Sequence, residues 1–318
     1  SLFSSPSSSS SPRGGPRGQG GDRAMAPGIY AFDHMAVRLP DFDAGVAAYT
    51  KLFPAGPRHV GENKDMGLRL AVFDLPNGGF IEVVAPTGPK SVLKPALDKK
   101  GPGMNLISFQ CEDLAATVKM MKANGVRVIE DDPTHVMVHP KSTHGLLMQL
   151  VEKAPNAPRA TKAGQVPDTS GVKGIVSYKC TVVFVEDADA AIASYQKLGL
   201  KLHFSLKNKA AGIRQCGFFL RGGGMIELIG PLDPTDASNG FVKMVKARGE
   251  GFKHLSLDAS AGALDVLTAA GVRARKTDPE HADIHKDATL TPEMLLQLNP
   301  VGMGTPAQVE LGGPQAKL

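Results

Sequence analysis

Two polar residues inside apolar, strand-like runs are the first candidates for chemistry in this sequence. His34 lies in Phe-Asp-His-Met-Ala-Val, and Glu82 lies in Phe-Ile-Glu-Val-Val. Side chains alternate along a strand, so each residue points either to solvent or into a cleft. In a cleft, the imidazole nitrogen and the carboxylate oxygen are both donors for a divalent metal ion. Outside one, the ordinary states are a hydrogen-bonded histidine and a solvated glutamate.

An internal repeat supplies the elements that position these residues. A β-like run from Ala31 is followed by a helix-starting Pro-Asp-Phe-Asp, and the run from Tyr178 is followed by Glu-Asp-Ala-Asp and a similar helix. Each copy continues into a Gly-Gly turn and an apolar strand containing one acid, and the pattern restarts at Gly103 and Gly251. The sequence therefore predicts four β-α-β-β-β units, with two units in each domain.

The domain boundaries follow from changes in composition. We expect a disordered leader rich in Ser, Pro, Gly and Arg over 1–28 and a first domain over 29–153. A linker without periodicity, 154–174, leads to a second domain over 175–302 and a tail over 303–318.

Composition excludes several classes of function. The net charge of +5 is small, and Lys and Arg are scattered, which disfavours a nucleic-acid-binding protein. The apolar runs are far shorter than the roughly 20 residues that span a bilayer. Three cysteines cannot all pair within the chain and indicate a reducing compartment. The Ser- and Arg-rich leader favours a mitochondrial or plastid location, and otherwise a cytoplasmic one.

Three segments resemble a known superfamily. They begin at Asp33 (Asp-His-Met-Ala-Val), at Ile81 (Ile-Glu-Val-Val-Ala-Pro) and at Val138 (Val-His-Pro-Lys-Ser-Thr-His-Gly-Leu-Leu-Met-Gln-Leu-Val-Glu). They are similar to the vicinal oxygen chelate, or glyoxalase-like, superfamily, and in particular to methylmalonyl-CoA epimerases and, more distantly, lactoylglutathione lyases. The resemblance is good over 30–153 and looser over 174–300. It implies an α+β fold of tandem domains, in which two paired βαβββ units form a curved mixed sheet around a cleft.

The resemblance also implies four metal-ligand positions in each domain. They fall on His34, Glu82, Leu106 and Gln149 in the first domain, and on Cys180, Glu227, His254 and Gln297 in the second. Leucine cannot bind a metal, and a buried cysteine thiol in a strand is normally inert. The two glutamines stand where the family has a glutamate, and an amide cannot abstract a proton.

In some relatives the units exchange partners between domains. Such pairing would assemble His34, Glu82, His254 and Gln297 into one metal site for Zn, Ni, Co, Mn or Fe(II). The remaining four positions would then form a degenerate second site.

Two functions of different classes follow. The first is a divalent-metal-dependent lyase or isomerase that acts on a small acyl-thioester or glutathione adduct, with Glu82 as ligand and base. The alternative is a catalytically degenerate protein without metal, which serves as a binding or structural subunit of an organellar complex with protein partners. A dioxygenase is a weaker third option. Those relatives take two His and one Glu from a single domain, and neither domain of this sequence supplies that set.

Overall fold

The computed structural model describes residues 27–132, 134–153, 171–276, 282–291 and 295–300. Most of the predicted leader and linker, and the whole predicted tail, lie outside these residues. Within the described ranges, no helix has the length and apolarity needed to span a membrane.

The first domain alternates strands and helices as the repeat predicts. Its elements in chain order are β1 (Ile29–Arg38), α1 (Phe42–Leu52), β2 (His59–Asn63), β3 (Leu68–Asp74), β4 (Phe80–Pro86), α2 (Lys94–Lys100), β5 (Gly103–Cys111), α3 (Leu114–Ala123), β6 (Val128–Asp132), β7 (His135–Val138), a 3-10 helix (Pro140–Ser142) and β8 (Met148–Glu152).

The second domain repeats this order. Its elements are β9 (Ile175–Phe184), α4 (Ala188–Lys197), β10 (Phe204–Asn208), β11 (Ile213–Phe219), β12 (Met225–Pro231), α5 (Gly240–Arg248), β13 (Gly251–Ala259), α6 (Ala263–Ala269), β14 (Ala274–Lys276), β15 (Ala282–Ile284), α7 (Lys286–Thr289) and β16 (Leu295–Pro300).

Aspartate side chains fix the start of three of the four unit helices, and α6 begins after Gly262 without a side-chain cap. The carboxylates of Asp41, Asp113 and Asp187 accept hydrogen bonds from backbone N–H groups in the first turns of α1, α3 and α4. These bonds satisfy donors that have no partner within the helix. The Asp residues read as helix starts in the sequence therefore act as N-caps.

Each domain forms its own eight-stranded mixed sheet. In the first, β1 pairs in parallel with β4 and antiparallel with β5. In the second, β9 pairs in the same way with β12 and β13. The tandem α+β architecture is confirmed.

The strand pairing differs from the predicted exchange of units between domains. Both units of each domain belong to one hydrogen-bonded sheet, joined through β1 and β5 or through β9 and β13. Units adjacent in sequence pair because a short connection places them side by side, which is the usual preference in sheets.

Helices α1, α3, α4 and α6 cover one face of their sheets, and alternation sends the candidate residues to the other, where Leu97 of α2 packs on an apolar cluster of β3 and β4. Met35 and Val37 of β1 and Ile81 of β4 lie in a core cluster with Tyr49 of α1. His34 and Glu82 alternate with these residues and therefore belong to the opposite face. We call this the first open face in domain one and the second open face in domain two. The core cluster contains residues of both domains, so the helix-covered sides share one apolar core.

A polar contact also joins the domains. The His144 Nδ1 lies 3.0 Å from both carboxylate oxygens of Glu250, and its Nε2 lies 3.1 Å from Ser194 Oγ. Next to it, Gly145 has φ +85°, and a Cβ there would overlap the carbonyl oxygen of Glu250. Glycine thus allows the two backbones to approach closely at this point.

We expect Gly145→Ala to destabilise the protein more than Gly125→Ala. Gly125 has a similar φ of +77°, but no atom lies within 4 Å of its added Cβ. Gly125→Ala therefore carries only the left-handed backbone cost, about 1 kcal/mol, whereas Gly145→Ala adds an overlap worth roughly 1–3 kcal/mol. Urea unfolding of both variants measures the difference, and equal losses would contradict the close contact between domains.

Candidate functional site

The first open face holds a histidine oriented by a neighbouring carboxylate. His34 Nδ1 lies 2.7 Å from Asp33 Oδ2, and Gln110 Nε2 donates to Asp33 Oδ1 at 2.9 Å. The His34 ring also stacks on Phe80, with ring centroids 4.6 Å apart. With Nδ1–H donating to the carboxylate, Nε2 is the nitrogen available to a ligand.

Strand register places the other candidates on this face. His34 lies opposite Phe80 on β4 and opposite Ser108 on β5, and Ser108 lies opposite Gln149 on β8. Glu82 is two residues beyond Phe80 and so shares its face. The structure thus brings His34, Glu82 and Gln149 to one face.

Burial and nearby charges give the two carboxyl groups different properties. Burial of Asp33 by itself raises its pKa, but the hydrogen bond and the charge of His34 and the bond from Gln110 outweigh burial, so the pKa is lowered. Burial raises the pKa of Glu82, and the Asp33 charge adds to this, while His34 and His59 oppose it. Asp33 is therefore the ionised partner of the histidine, and Glu82 is the more basic carboxylate.

Several residues on this face were not singled out from sequence. Asp33 and Gln110 hold His34, and the buried Ser108 hydroxyl has no hydrogen-bond partner among the described residues. In the sequence, the direct neighbourhood of Asp33 and His34 is the feature that could have indicated this pair. A register shift between Phe32 and His34 breaks strict alternation at this point, and it allows neighbouring residues to meet.

The second open face carries His254, Gln297, Cys180 and Glu227, but it is packed with apolar side chains. Cys180 is buried in a cluster with apolar residues, namely Val182, Phe204, Met225, Phe184, Leu206, Phe219 and Ile229. Ser256 Oγ donates to Gln297 Oε1 at 3.2 Å. The amide of this predicted ligand is therefore already engaged within the protein.

Phe204 covers the second open face next to its glutamate. Phe204, Gly217 and Glu227 are successive partners across β10, β11 and β12. A Cβ at Gly217 would overlap the Phe204 ring, so the ring occupies the space that the glycine leaves. In the first domain the equivalent position holds His59, which is exposed.

Burial perturbs all three titratable candidates of this second face. It raises the pKa of Glu227 to about 7, opposed only by a hydrogen bond from Gln215. It lowers the pKa of His254 to about 4, helped by the charge of Lys253. It raises the pKa of the Cys180 thiol well above its ordinary value, and the Glu227 charge adds to this. Near neutral pH, the thiol and the imidazole are therefore uncharged.

The raised pKa of Glu227 predicts a pH-dependent stability. Its pKa is 4.5 in ordinary surroundings and about 7 in the folded state. The folded protein binds the proton more tightly, so stability is highest below pH 4.5 and is lost as pH rises through 7. Glu227→Gln removes this dependence and keeps a neutral amide beside Gln215.

We expect the stability of Glu227→Gln relative to wild type to increase by about 2–3 kcal/mol between pH 5 and pH 8. Urea unfolding of both proteins at both pH values measures this difference, in which groups common to both proteins cancel. The same difference at pH 5 and pH 8 would show that Glu227 is not buried as described.

The four residues of the predicted exchanged metal site lie in two sheets. His34 and Glu82 are on β1 and β4 of one sheet, whereas His254 and Gln297 are on β13 and β16 of the other. The reason is the pairing of units within each domain. The first open face instead combines His34 and Glu82 with Gln149, and Leu106 takes the fourth family position.

The first open face offers three donors for a divalent metal: His34, Glu82 and Gln149. Among the described residues, no three His, Cys, Asp or Glu side chains are grouped to hold a metal ion. His34 nevertheless has the carboxylate-oriented imidazole typical of metal ligands, and Gln149 shares its cross-strand row. One imidazole, one carboxylate and one amide would leave open coordination positions.

Comparison with known proteins agrees with this architecture. The family model described as Glyoxalase/Bleomycin resistance protein/Dioxygenase superfamily matches residues 33–139 and 181–288, once in each domain. A mitochondrial methylmalonyl-CoA epimerase of Dictyostelium discoideum is 31% identical over 135 residues, which are 40% of this chain and 80% of that protein. An ethylmalonyl-CoA/methylmalonyl-CoA epimerase of Cereibacter sphaeroides is 28% identical over 131 residues, which are 38% of this chain and 97% of that protein.

A solved structure matches both domains together. A triple mutant of 4-hydroxymandelate synthase from Streptomyces coelicolor has a TM-score of 0.67 and 13% identity, and the match covers 87% of this chain and 94% of that one. At this identity the likeness concerns the fold alone. The two matched regions of the family model cover more than half of the sequence, and the chain belongs to the Glyoxalase/Bleomycin resistance protein/Dioxygenase superfamily.

Proposed function

We propose that the first open face binds a small acyl-thioester and transfers a proton at the carbon next to its carbonyl, as an isomerase or lyase does. One observation carries the proposal: the Asp33–His34 pair and the more basic Glu82 share one face of the sheet, beside an apolar cluster that includes Val72 and Val84. The names of the two epimerase relatives support an acyl-thioester over a glutathione adduct as the substrate class.

Glu82 is the base in this proposal. Burial raises its pKa towards the working pH, which strengthens a carboxylate as a proton acceptor. It takes the proton from the substrate carbon, and the electron pair moves to the thioester oxygen to give an enolate. Gln149 can hydrogen-bond to the substrate but cannot take a proton. A single base returns the proton to the side it came from, so exchange with solvent is expected to be faster than inversion.

His34, Glu82 and Gln149 are the residues that would hold a divalent metal on this face. Zn, Ni, Co, Mn or Fe(II) there would polarise the thioester carbonyl and stabilise the negative charge on its oxygen. Asp33 contributes by keeping the His34 ring in one orientation.

Proton exchange in D₂O tests the proposal. Full-length protein is incubated with methylmalonyl-CoA, alone and with each of the five metals, and deuterium at the substrate carbon is followed by NMR. We expect incorporation well above the uncatalysed rate. Exchange at the background rate under every metal condition would overturn the proposed chemistry.

A degenerate binding or structural protein is the second candidate function. The observations that favour it are Leu106 at a ligand position and the apolar packing of the second open face. It predicts near-zero metal content, unchanged by His34→Ala, and no exchange above background. This second candidate would act through protein partners. The Dictyostelium relative is mitochondrial by name, and a mitochondrial location is a proposal for this chain.

A further inference from the structure

A cavity of about 420 Å³ is lined by residues of both domains and by none of the candidate residues of the two open faces. It is lined by residues of the matching segments 99–104 and 248–253, which run from the ends of α2 and α5 to the starts of β5 and β13, and by flanking residues of both domains. This volume lies in the range of small-molecule sites.

The lining of this cavity is strongly cationic. It has five basic side chains, Arg38, Lys99, Lys100, Arg248 and Lys253, and one carboxylate, Glu250. Glu250 already accepts hydrogen bonds from the Glu186 N–H and pairs with His144. No ion pair to Lys99, Lys100 or Arg248 is formed within the part of the chain that the structure describes.

Helix polarity explains only part of this charge. Lys99, Lys100 and Arg248 lie in last helical turns, where cations offset the helix dipole. Arg38 and Lys253 lie on strands, where that reason does not apply. Arg38 is nearly buried, and its guanidinium is fixed by donating from Nε to Gly101 O at 3.0 Å and from Nη1 to Met104 O.

Apolar side chains form the rest of the wall. Phe184, Phe252, Met104 and Met244 line the cavity, and Lys253 Nζ lies 5.4 Å from the centre of the Phe184 ring. The Phe184 ring also contacts Phe241, with ring centroids 4.9 Å apart, so Phe252 is the aromatic side chain of the wall that a flat ring would meet, beside cations that suit phosphate groups. We propose that this cavity is a nucleotide site that takes an adenosine phosphate with two or more negative charges.

Isothermal titration calorimetry of the full-length protein with ADP tests this site. Adenosine and pyrophosphate are titrated separately as the two parts of the ligand. We expect ADP to bind more tightly than either probe and less tightly at high salt. Arg248→Gln and the double variant Lys99→Gln/Lys100→Gln should each weaken ADP binding by roughly tenfold, about one charge-assisted hydrogen bond.

Lys246→Gln is the matched control, because Lys246 lies in the same last turn of α5 and is exposed but does not line the cavity. Binding no tighter than that of adenosine, or equal weakening by Arg248→Gln and the control, would overturn the proposal. Tighter binding of methylmalonyl-CoA than of ADP, measured by competition, would identify the nucleotide part of an acyl-CoA as the occupant, and weaker binding or no competition a free nucleotide. ADP binding at this cavity is measured independently of proton exchange at the first open face, so failure of one proposal is distinguishable from failure of the other.

Discussion

Glu82→Gln is expected to lower the rate of substrate proton exchange by about 10²–10⁴-fold, the usual contribution of a general base. The amide keeps the size of the side chain and some of its hydrogen bonding, but it cannot take a proton. If Glu82 is the base, the loss falls on kcat, and binding of the thioester changes little. The measurement is deuterium incorporation into methylmalonyl-CoA at saturating substrate.

Glu227→Gln is the matched control for that result. Glu227 occupies the equivalent strand position in the second domain and also has a raised pKa, but it is covered by Phe204. We expect its exchange rate to stay within about twofold of wild type, because a change remote from the site leaves transition-state binding intact. A large loss of exchange in Glu227→Gln, together with full activity in Glu82→Gln, would place the chemistry in the second domain and contradict the proposal.

Asp258→Ala is expected to destabilise the second domain by about 3–5 kcal/mol, the typical cost of leaving a buried charge without its ionic partner. Lys179 Nζ lies 3.1 Å from Asp258 Oδ1, and both side chains are about one-tenth exposed, at 9% and 11%. Ser177 Oγ donates to the other carboxylate oxygen at 3.0 Å. Burial raises the pKa of Asp258 despite the opposing charge and hydrogen bond of Lys179, so the pair only partly offsets desolvation.

The double variant Lys179→Met/Asp258→Leu should recover most of that loss, since apolar replacements of a buried pair are often neutral. Asp98→Ala is the control for an exposed pair: Asp98 lies 2.6 Å from Lys94 at the surface, and we expect a loss of no more than ~0.5 kcal/mol. Urea unfolding measures all three. A double variant as unstable as Asp258→Ala would mean that the cost lies in lost packing and not in charge.

This ion pair also shows how the two domains have diverged. Lys179 and Asp258 stand where the first domain has Asp33 and Gln110. In the first domain these residues orient a histidine, whereas in the second the neighbouring position is Cys180 and the polar groups neutralise each other. The same backbone positions therefore serve the proposed site in one domain and packing in the other.

Sequence reasoning predicted the tandem units and the common face of His34 and Glu82, because strand alternation and the repeat are local patterns. It could not decide which units share a sheet, since all four units have similar edge strands, and pairing depends on tertiary contacts. Asp33 was missed because a register shift places it beside His34 against the simple alternation. The cover over Glu227 was missed because it requires Phe204 and Gly217 to be partners across two strands.

Histidine NMR tests the central claim, that substrate meets the first open face and not the second. The protein has nine histidines, and His34→Gln and His254→Gln assign the two imidazoles in spectra of histidine-labelled protein. At saturating methylmalonyl-CoA, we expect the His34 ring signals to shift and those of His254 to stay in place. Shifts at His254 with an unchanged His34 would contradict this claim.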